Sequence, residues 1–296
     1  MQVQRQQILE AERHDLARQA ESGGQPDPFG NLSQRARAIG LAVHGVVEHA
    51  LALFTASKWI LRRRFDSEEV VIVRAEGRMH LDYYKNNLLH LFVADALLAA
   101  AILSLLQRTP AMAPDVLQAQ TKFLSRLLKF EFVYEPGVQF ADQYARTLTE
   151  FLAAGWLMRH GDGTLSGATT VRGALRLYAK LLQNFIESYA LVGRSIGQLK
   201  AGAMAEAAFL DHVQKVAQMA FDLGTVECYE AMSKVNLSNA VRIFIEEGFV
   251  VEKSEVVGKK MVKTLTASAD PAMADKYADF FSRLHELQAP WALERL

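Results

Sequence analysis

The sequence has little cysteine and no excess of charge. Cys228 is the only cysteine among 296 residues, so an internal disulfide is excluded. We therefore expect a reducing, cytoplasmic environment. Lysine plus arginine and aspartate plus glutamate number 33 each, so no net charge draws the whole chain onto nucleic acid or an anionic membrane. Nucleic acid is not expected as a partner, and any anionic surface would have to meet a local basic patch.

Residue clusters that carry chemistry are also scarce. The eight histidines show no metal-ligand spacing, and one cysteine is too few for a common structural zinc site. No glycine-rich phosphate loop is present, since the "GDG" at 161–163 is too short. We expect no metal, no cofactor and no catalytic residue in this chain.

The first 33 residues lack an apolar run. The stretch "MQVQRQQILEAERHDLARQA" is charged throughout, which is unlike a signal peptide or a first membrane anchor. The stretch "ESGGQPDPFG" that follows predicts a loop, because it holds three glycines and two prolines. Residues 1–33 are therefore predicted to be a charged helix and a loop.

An aromatic pair with a five-residue spacing occurs three times. The pairs are Phe54 with Trp59, Phe151 with Trp156, and Phe244 with Phe249. An amphipathic helical stretch leads into each pair, and Gly155 and Gly248 precede the second aromatic in two copies, where glycine can cap a helix end. We expect all six rings to be buried.

Two β-rich runs around a polar turn follow each aromatic pair, as in "WLMRHGDGTLSG". Helix, helix and hairpin is the outline of a winged helix. The predicted fold is mainly α with small β-hairpins (α+β), with long helices at about 81–107 and 170–199 joining about three winged-helix-like units. The predicted segments after residue 33 are 34–110, 111–203 and 204–296.

The apolar stretch from Leu88 to Leu106 is long enough to cross a membrane. Asp95 lies in its middle, where a charged side chain costs roughly 2.5–3.5 kcal/mol in lipid. We therefore expect one continuous helix that is buried in protein and does not span a membrane.

His90 and Asp95 stand five residues apart, a spacing at which a histidine base and an orienting aspartate could act together. Residues i and i+5 of a continuous helix point about 140° apart, so their side chains would not meet. A catalytic role for the pair is not expected.

Three long stretches resemble the C-terminal region of the bacterial glycerol-3-phosphate acyltransferases, a family that includes the dihydroxyacetone-phosphate acyltransferases. They are "MHLDYYKNNLLHLFVADALLAAAIL", "FLSRLLKFEFVYEPGVQFADQYARTLTEFLAAGWLMRHGDG" and "CYEAMSKVNLSNAVRIFIEEGFVV", in the family's order. The resemblance covers about residues 35–287. It implies that the family's catalytic boxes, including its H-x4-D box, belong to a separate upstream α/β domain. His90 and Asp95 do not map onto that box.

The resemblance implies an accessory C-terminal module of a glycerol-3-phosphate acyltransferase. Such a module would support phospholipid biosynthesis without catalysing acyl transfer alone. Its expected partner is the catalytic domain, in cis or in trans. A peripheral position at the inner membrane stays open, as does the alternative of a winged-helix regulator that binds nucleic acid.

Two groups of residues are candidates for contact with a partner or a membrane. The basic hairpin residues are Arg62, Arg63, Arg64, Lys259, Lys260 and Lys263. The polar segment consists of Tyr83, Tyr84, Lys85, Asn86 and Asn87. The basic residues could equally be solvated strand edges, since acidic residues are interleaved with them, and the polar segment could equally satisfy local backbone groups.

Overall fold

The computed structural model describes residues 45–66, 68–132, 137–167, 172–257 and 260–292. The charged helix and loop predicted for residues 1–33 lie outside these ranges. The chain divides into two compact units, one ending at Lys85 and one beginning at Asn86. The division into segments 34–110, 111–203 and 204–296 stays a prediction.

The first unit contains a helix and a two-stranded hairpin. Helix α1 covers residues 45–56 and leads into strands β1 (Ile60–Phe65) and β2 (Glu68–Val73). The strands are antiparallel, with Ile60 opposite Val73 and Phe65 opposite Glu68. Helix α2 (Ala75–Leu89) follows and contains the boundary between the two units.

The second unit is mainly helical with small antiparallel strand pairs, which confirms the predicted α+β class. Its helices are α3 (Val93–Leu105), α4 (Pro114–Leu127), α5 (Phe140–Ala153), α6 (Arg172–Lys180), α7 (Gln183–Ser195), α8 (Glu206–Asp222), α9 (Lys234–Glu246) and α10 (Ala272–Ala292). Its strands are β3 (Leu157–Arg159), β4 (Leu165–Gly167), β5 (Met204–Ala205), β6 (Val250–Val257) and β7 (Lys260–Ala267). Short 3₁₀ helices cover Ile196–Lys200 and Tyr229–Met232.

The same order of elements occurs twice in the second unit: a short extended segment, two helices and a hairpin. In the first copy Met112 pairs antiparallel with Leu165, and α4, α5, β3 and β4 complete the set. In the second copy Met204 pairs antiparallel with Leu265, which gives a sheet of order β5-β7-β6 around α8 and α9. Leu165 and Leu265, the hairpin residues that pair with these extended segments, are both fully buried. Each hairpin thus packs on its helices with a third extended segment paired to it.

A single helix-ending geometry explains the repeated aromatic pair. The N–H groups of Trp59, Trp156 and Phe249 donate to the carbonyl oxygens of Phe54, Phe151 and Phe244 at 3.0, 2.9 and 2.9 Å. The residue before the second aromatic has a left-handed φ in every copy: Lys58 at 60°, Gly155 at 70° and Gly248 at 82°. These are the features of a Schellman cap, in which an apolar contact commonly joins the residues that flank the turn. The five-residue spacing therefore encodes three helix ends, each leading into a hairpin.

We expect Gly155→Ala to lower the free energy of unfolding by about 1–2 kcal/mol, because an L-residue pays for left-handed backbone. No heavy atom lies within 4 Å of a Cβ placed there, so the cost is one of backbone conformation alone. Gly161→Ala is the matched control, since its surroundings are equally open and its φ is not left-handed. Urea unfolding of both variants tests this. Equal stabilities of the two variants would contradict the cap.

The six aromatic rings are not equally covered. Phe151, Phe244 and Phe249 are buried, as predicted, whereas Phe54, Trp59 and Trp156 are half-buried. The prediction of burial is therefore wrong for three rings, although none of the six is fully exposed. In the first unit, Trp59 stacks on His80 at 4.7 Å between ring centroids, and the exposed Tyr84 packs beside it at 6.0 Å. This aromatic cluster is too small to bury its rings completely.

The two long helices that we predicted are each interrupted. The first breaks at residues 90–92, where the Phe92 N–H bonds the Leu89 carbonyl oxygen at 2.9 Å. The second breaks at 181–182, where the Leu182 N–H bonds the Ala179 carbonyl oxygen at 3.0 Å. In both cases a helix with exposed residues ends and a helix buried on nearly every side begins. Tertiary packing, rather than glycine or proline, sets these breaks.

Helix α3 forms much of the core of the second unit. Val93 and every residue from Ala96 to Ser104 are buried, and within the helix only Ala94, Asp95 and Leu105 retain partial exposure. Within the described ranges, no helix combines the length and the apolar character that a membrane crossing requires. The prediction of a buried helix is confirmed for Val93–Leu105, whereas the prediction of one continuous helix from Leu88 is wrong, because residues 90–92 form an exposed turn.

Candidate interaction surfaces

The structure does not bring His90 and Asp95 together as a catalytic pair. His90 is exposed in the turn between α2 and α3, and Asp95 is half-buried in the first turn of α3. No hydrogen bond or ion pair joins them among the described residues. Burial raises the pKa of Asp95, and the nearby Glu150 raises it further. The two residues have separate surroundings.

The basic residues of the first hairpin differ in their surroundings. Arg62 bonds Glu69 across the hairpin and Glu48 on α1, with Nη1 to Oε2 of Glu48 at 2.8 Å. These hydrogen bonds raise the pKa of Arg62 and lower that of Glu69. Arg63 and Arg64 are exposed and have no ion pair among the described residues.

The third hairpin holds the remaining basic candidates. Lys263 is exposed and pairs with Glu252 across the hairpin at 3.0 Å. This bond raises the pKa of Lys263. Lys260 is the first residue of β7, and Lys259 lies outside the described residues. The acidic neighbours noted in the sequence thus engage one basic residue in each of these two hairpins.

The polar segment occupies the second half of α2. Tyr84 is exposed, and its ring lies 6.0 Å from that of Phe54. Lys85 is half-buried. Tyr83, Asn86 and Asn87 belong to the same helix.

Gly77, near the start of α2, has a packing role. A Cβ at this position would lie 2.3 Å from the Trp59 carbonyl oxygen, so only glycine fits there.

One face of the first hairpin is apolar and exposed, which the sequence analysis did not anticipate. Strand pairing places Leu61, Phe65, Val70 and Ile72 on this face, with Arg63 and Glu68 among them. Phe65 is 55% exposed, and the other three apolar residues are 38–40% exposed. The opposite face carries the Arg62–Glu69 pair together with Val71 and Val73, which are 41% and 46% exposed. We call the four apolar residues the hairpin face. A contiguous exposed apolar surface of this kind is typical of an interaction site.

Two half-buried or buried carboxylates belong to the interior of the second unit. Glu187 on α7 accepts backbone N–H bonds from Glu227 and Cys228 at 3.1 and 3.0 Å. Glu131 accepts from the Tyr189 hydroxyl at 2.9 Å and from the Asn239 amide at 3.2 Å. Burial raises the pKa of Glu131 to about 7. Both carboxylates join separate elements, which is a structural role.

The raised pKa of Glu131 predicts a pH-dependent stability. The folded state holds a proton that the unfolded state releases near pH 4.5, so the free energy of unfolding falls as pH rises from about 4.5 through 7. Between these pH values we expect the free energy of unfolding to fall by about 2–3 kcal/mol less in Glu131→Gln than in the unchanged chain, since one pKa unit is about 1.4 kcal/mol. Urea unfolding at pH 5 and pH 8 measures the change. An equal change in the free energy of unfolding between pH 5 and pH 8 for the variant and the unchanged chain would contradict the raised pKa of Glu131.

No cluster of three or more histidine, cysteine, aspartate or glutamate side chains suited to a metal ion occurs within the described ranges.

Comparison with known proteins agrees with the resemblance seen in the sequence. Residues 28–253 match the sequence model of the family described as glycerol-3-phosphate acyltransferase C-terminal region. Dihydroxyacetone phosphate acyltransferase from Homo sapiens is 27% identical over 179 residues, which are 58% of this chain and 24% of the human protein. The protein of the same name from Oryctolagus cuniculus is 26% identical over 224 residues, covering 72% of this chain and 31% of the rabbit protein.

The chain thus spans about a quarter to a third of the length of these curated relatives. The family match covers well over half of the chain itself and includes the first hairpin, α3 and both strand–helix–helix–hairpin sets up to β6. The chain therefore belongs to the glycerol-3-phosphate acyltransferase C-terminal region family.

Proposed function

We propose that this chain is an accessory module that supports acyl transfer to glycerol 3-phosphate or dihydroxyacetone phosphate in phospholipid biosynthesis. It does so by packing against an acyltransferase catalytic domain, in cis or in trans. Family membership connects the chain to glycerol-phosphate acylation. The relatives are dihydroxyacetone phosphate acyltransferases, which supports the second acceptor.

The observation that carries the proposal is the exposed hairpin face. A two-stranded hairpin with an uncovered apolar face is marginally stable in water and prone to unwanted pairing. We assign the catalytic domain as the partner that covers this face. The match covers only 24% of the human relative, so about three times the matched length of that protein lies outside the match and can include such a domain. Arg63 and Glu68 on the same face supply charges that can fix the orientation of that partner.

We propose further that the two strand–helix–helix–hairpin sets of the second unit are winged-helix-like units. The pairing of the first extended segment with the last strand in each set supports this proposal. We propose that these units serve as protein-binding supports. Localisation on the cytoplasmic side of the inner membrane belongs to the same proposal, with Arg64, on the opposite face of the hairpin, near anionic headgroups.

The alternative is a winged-helix regulator that binds nucleic acid, and the repeated arrangement is what favours it. Its basic hairpins would have to neutralise phosphates, yet Arg62 and Lys263 are already paired with carboxylates. Fluorescence anisotropy with labelled duplex DNA distinguishes the two functions. We expect no binding at 150 mM salt, whereas tight binding that weakens steeply with salt would favour the regulator.

The purified chain alone is expected to show no acyl transfer from acyl-CoA or acyl carrier protein to glycerol 3-phosphate or dihydroxyacetone phosphate. His90 and Asp95 have separate surroundings, and the family's catalytic boxes are absent from the sequence. Release of CoA is the readout. Reproducible turnover that His90→Ala abolishes would overturn this expectation and make the chain an enzyme.

A further inference from the structure

A groove of about 350 Å³ lies between α4, α9 and α10 in the second unit. This volume lies at the lower end of the range that small-molecule sites occupy. Its charged lining consists of Lys122, Arg126, Lys276 and Arg283 with Glu247 and Asp279. Cations therefore outnumber carboxylates by two.

The carboxylates do not neutralise these cations evenly. Glu247 pairs with both Arg126 and Lys276, at 3.2 and 3.0 Å. Lys122 and Arg283 have no carboxylate partner within hydrogen-bond distance among the described residues. Asp279 lies one helical turn before Arg283 and is exposed. The excess positive charge is thus concentrated on Lys122 and Arg283.

Arg283 is held in place by neutral partners, and the exposed carboxylate of Asp279 acts on it without forming an ion pair. Its guanidinium lies over the Phe123 ring, 3.9 Å from the centroid, and donates to the Gln120 side-chain oxygen at 2.9 Å. One neutral acceptor leaves most of its five N–H groups available to another acceptor. Burial lowers the pKa of Arg283, although an arginine stays protonated. A half-buried, fixed guanidinium of this kind favours an incoming anion.

The floor of the groove is apolar. Phe123, Leu127, Ile243 and Phe280 line it, and the rings of Phe123 and Phe280 meet edge to face at 5.3 Å. A cationic rim above an apolar floor matches an anion that carries an apolar portion. Guanidinium and ammonium groups together are well suited to phosphate oxygens.

We propose that this groove binds the phosphate of an amphiphilic phosphate ester, with Arg283 and Lys122 on the phosphate oxygens and the Phe123 and Phe280 rings against the apolar part. A phospholipid is the occupant that this chemistry fits, since it carries both a phosphate ester and apolar chains. The site goes beyond the proposed function, since it lies on α4, α9 and α10 and uses no residue of the hairpin face.

Vesicle flotation and calorimetry on the full chain test the groove. Phosphatidylcholine vesicles with and without phosphatidylglycerol probe the phospholipid, and titration with glycerol 3-phosphate, which has no apolar part, probes the phosphate contacts alone. The variants are Lys122→Gln, the double variant Lys122→Gln with Arg283→Gln, and Asp279→Asn. The charge-matched control is Lys215→Gln with Arg146→Gln, since both residues are exposed and lie outside the groove. Circular dichroism checks that each variant is folded.

We expect binding to anionic vesicles to weaken about 20- to 30-fold in the double variant and about fivefold in Lys122→Gln, which removes an exposed side chain only. Asp279→Asn removes an opposing charge and is expected to tighten binding several-fold. Binding of glycerol 3-phosphate as tight as that of anionic vesicles would overturn the assignment of an apolar part to the ligand. Absence of binding by both probes, or an equal loss in the control, would overturn the proposal.

Discussion

Phe244→Ala is expected to lower the free energy of unfolding by about 3–5 kcal/mol. Phe244 is fully buried, and its ring meets those of Phe249 and Phe280 at 6.0 and 5.4 Å between centroids. It also lies at the end of α9, where its carbonyl oxygen receives the capping bond from the Phe249 N–H. Truncation therefore leaves a cavity where α9, β6 and α10 meet.

Urea unfolding measures this loss, with Phe244→Leu as the milder variant in case the alanine variant does not fold. Phe65→Ala is the control, because Phe65 is more than half exposed and its loss is expected to cost within about 0.5 kcal/mol. A cost below 1 kcal/mol for Phe244→Ala would show that the aromatic pair does not hold the third helix end to its hairpin.

Placing charges on the hairpin face is expected to abolish association with the acyltransferase catalytic part. In the double variant Phe65→Lys with Ile72→Glu, two apolar contacts become charges that the partner would have to bury unpaired. The opposite signs leave the net charge unchanged. The catalytic part is the human dihydroxyacetone phosphate acyltransferase without the segment that matches this chain. Analytical ultracentrifugation of the mixture is the measurement. We expect the dissociation constant of the double variant to be at least 100-fold larger than that of the unchanged chain.

The matched control for this variant is Met219→Lys with Leu223→Glu. Both residues are apolar, more exposed than the hairpin face, and situated at the end of α8 in the second unit. The control is expected to bind as the unchanged chain does. Equal binding by the hairpin variant and the control would show that the catalytic part docks elsewhere.

The sequence predicts the helix ends well because their signal is local. The Phe54–Trp59 spacing and its two repeats follow from one capping geometry that needs six residues and nothing more. The hairpins are equally local, and all three were placed correctly from their β-rich runs and turns. The pairing of Met112 with Leu165 was not foreseen, because residues 53 positions apart leave no periodic trace.

The helix breaks at 90–92 and 181–182 were missed for a different reason. Neither contains glycine or proline, and the apolar pattern continues across both. What changes is the environment, from a helix with solvent-facing residues to one covered on nearly every side. Such a change depends on neighbours that are distant in sequence, so tertiary structure overrides local propensity.

The candidate surfaces were predicted only in part. The basic residues are evident in the sequence. The structure shows that Arg62 and Lys263 form ion pairs with Glu69 and Glu252, whereas the sequence shows only that acidic residues are interleaved with basic ones. The "EEVVIV" of β2 resembles a buried strand by composition, whereas all six residues are exposed. The groove joins α4, α9 and α10, which are separated by about 105 and 25 residues, so no local sequence motif could predict it.

The central claim, a non-catalytic module that supports a catalytic domain, is tested most directly by one activity measurement. The full chain replaces the matched segment of the human dihydroxyacetone phosphate acyltransferase in a single polypeptide, which keeps the two parts at high effective concentration. We predict a rate of dihydroxyacetone phosphate acylation at least tenfold above that of the human enzyme without the segment. A rate no higher than that of the truncated enzyme, with the fusion folded, would contradict the account.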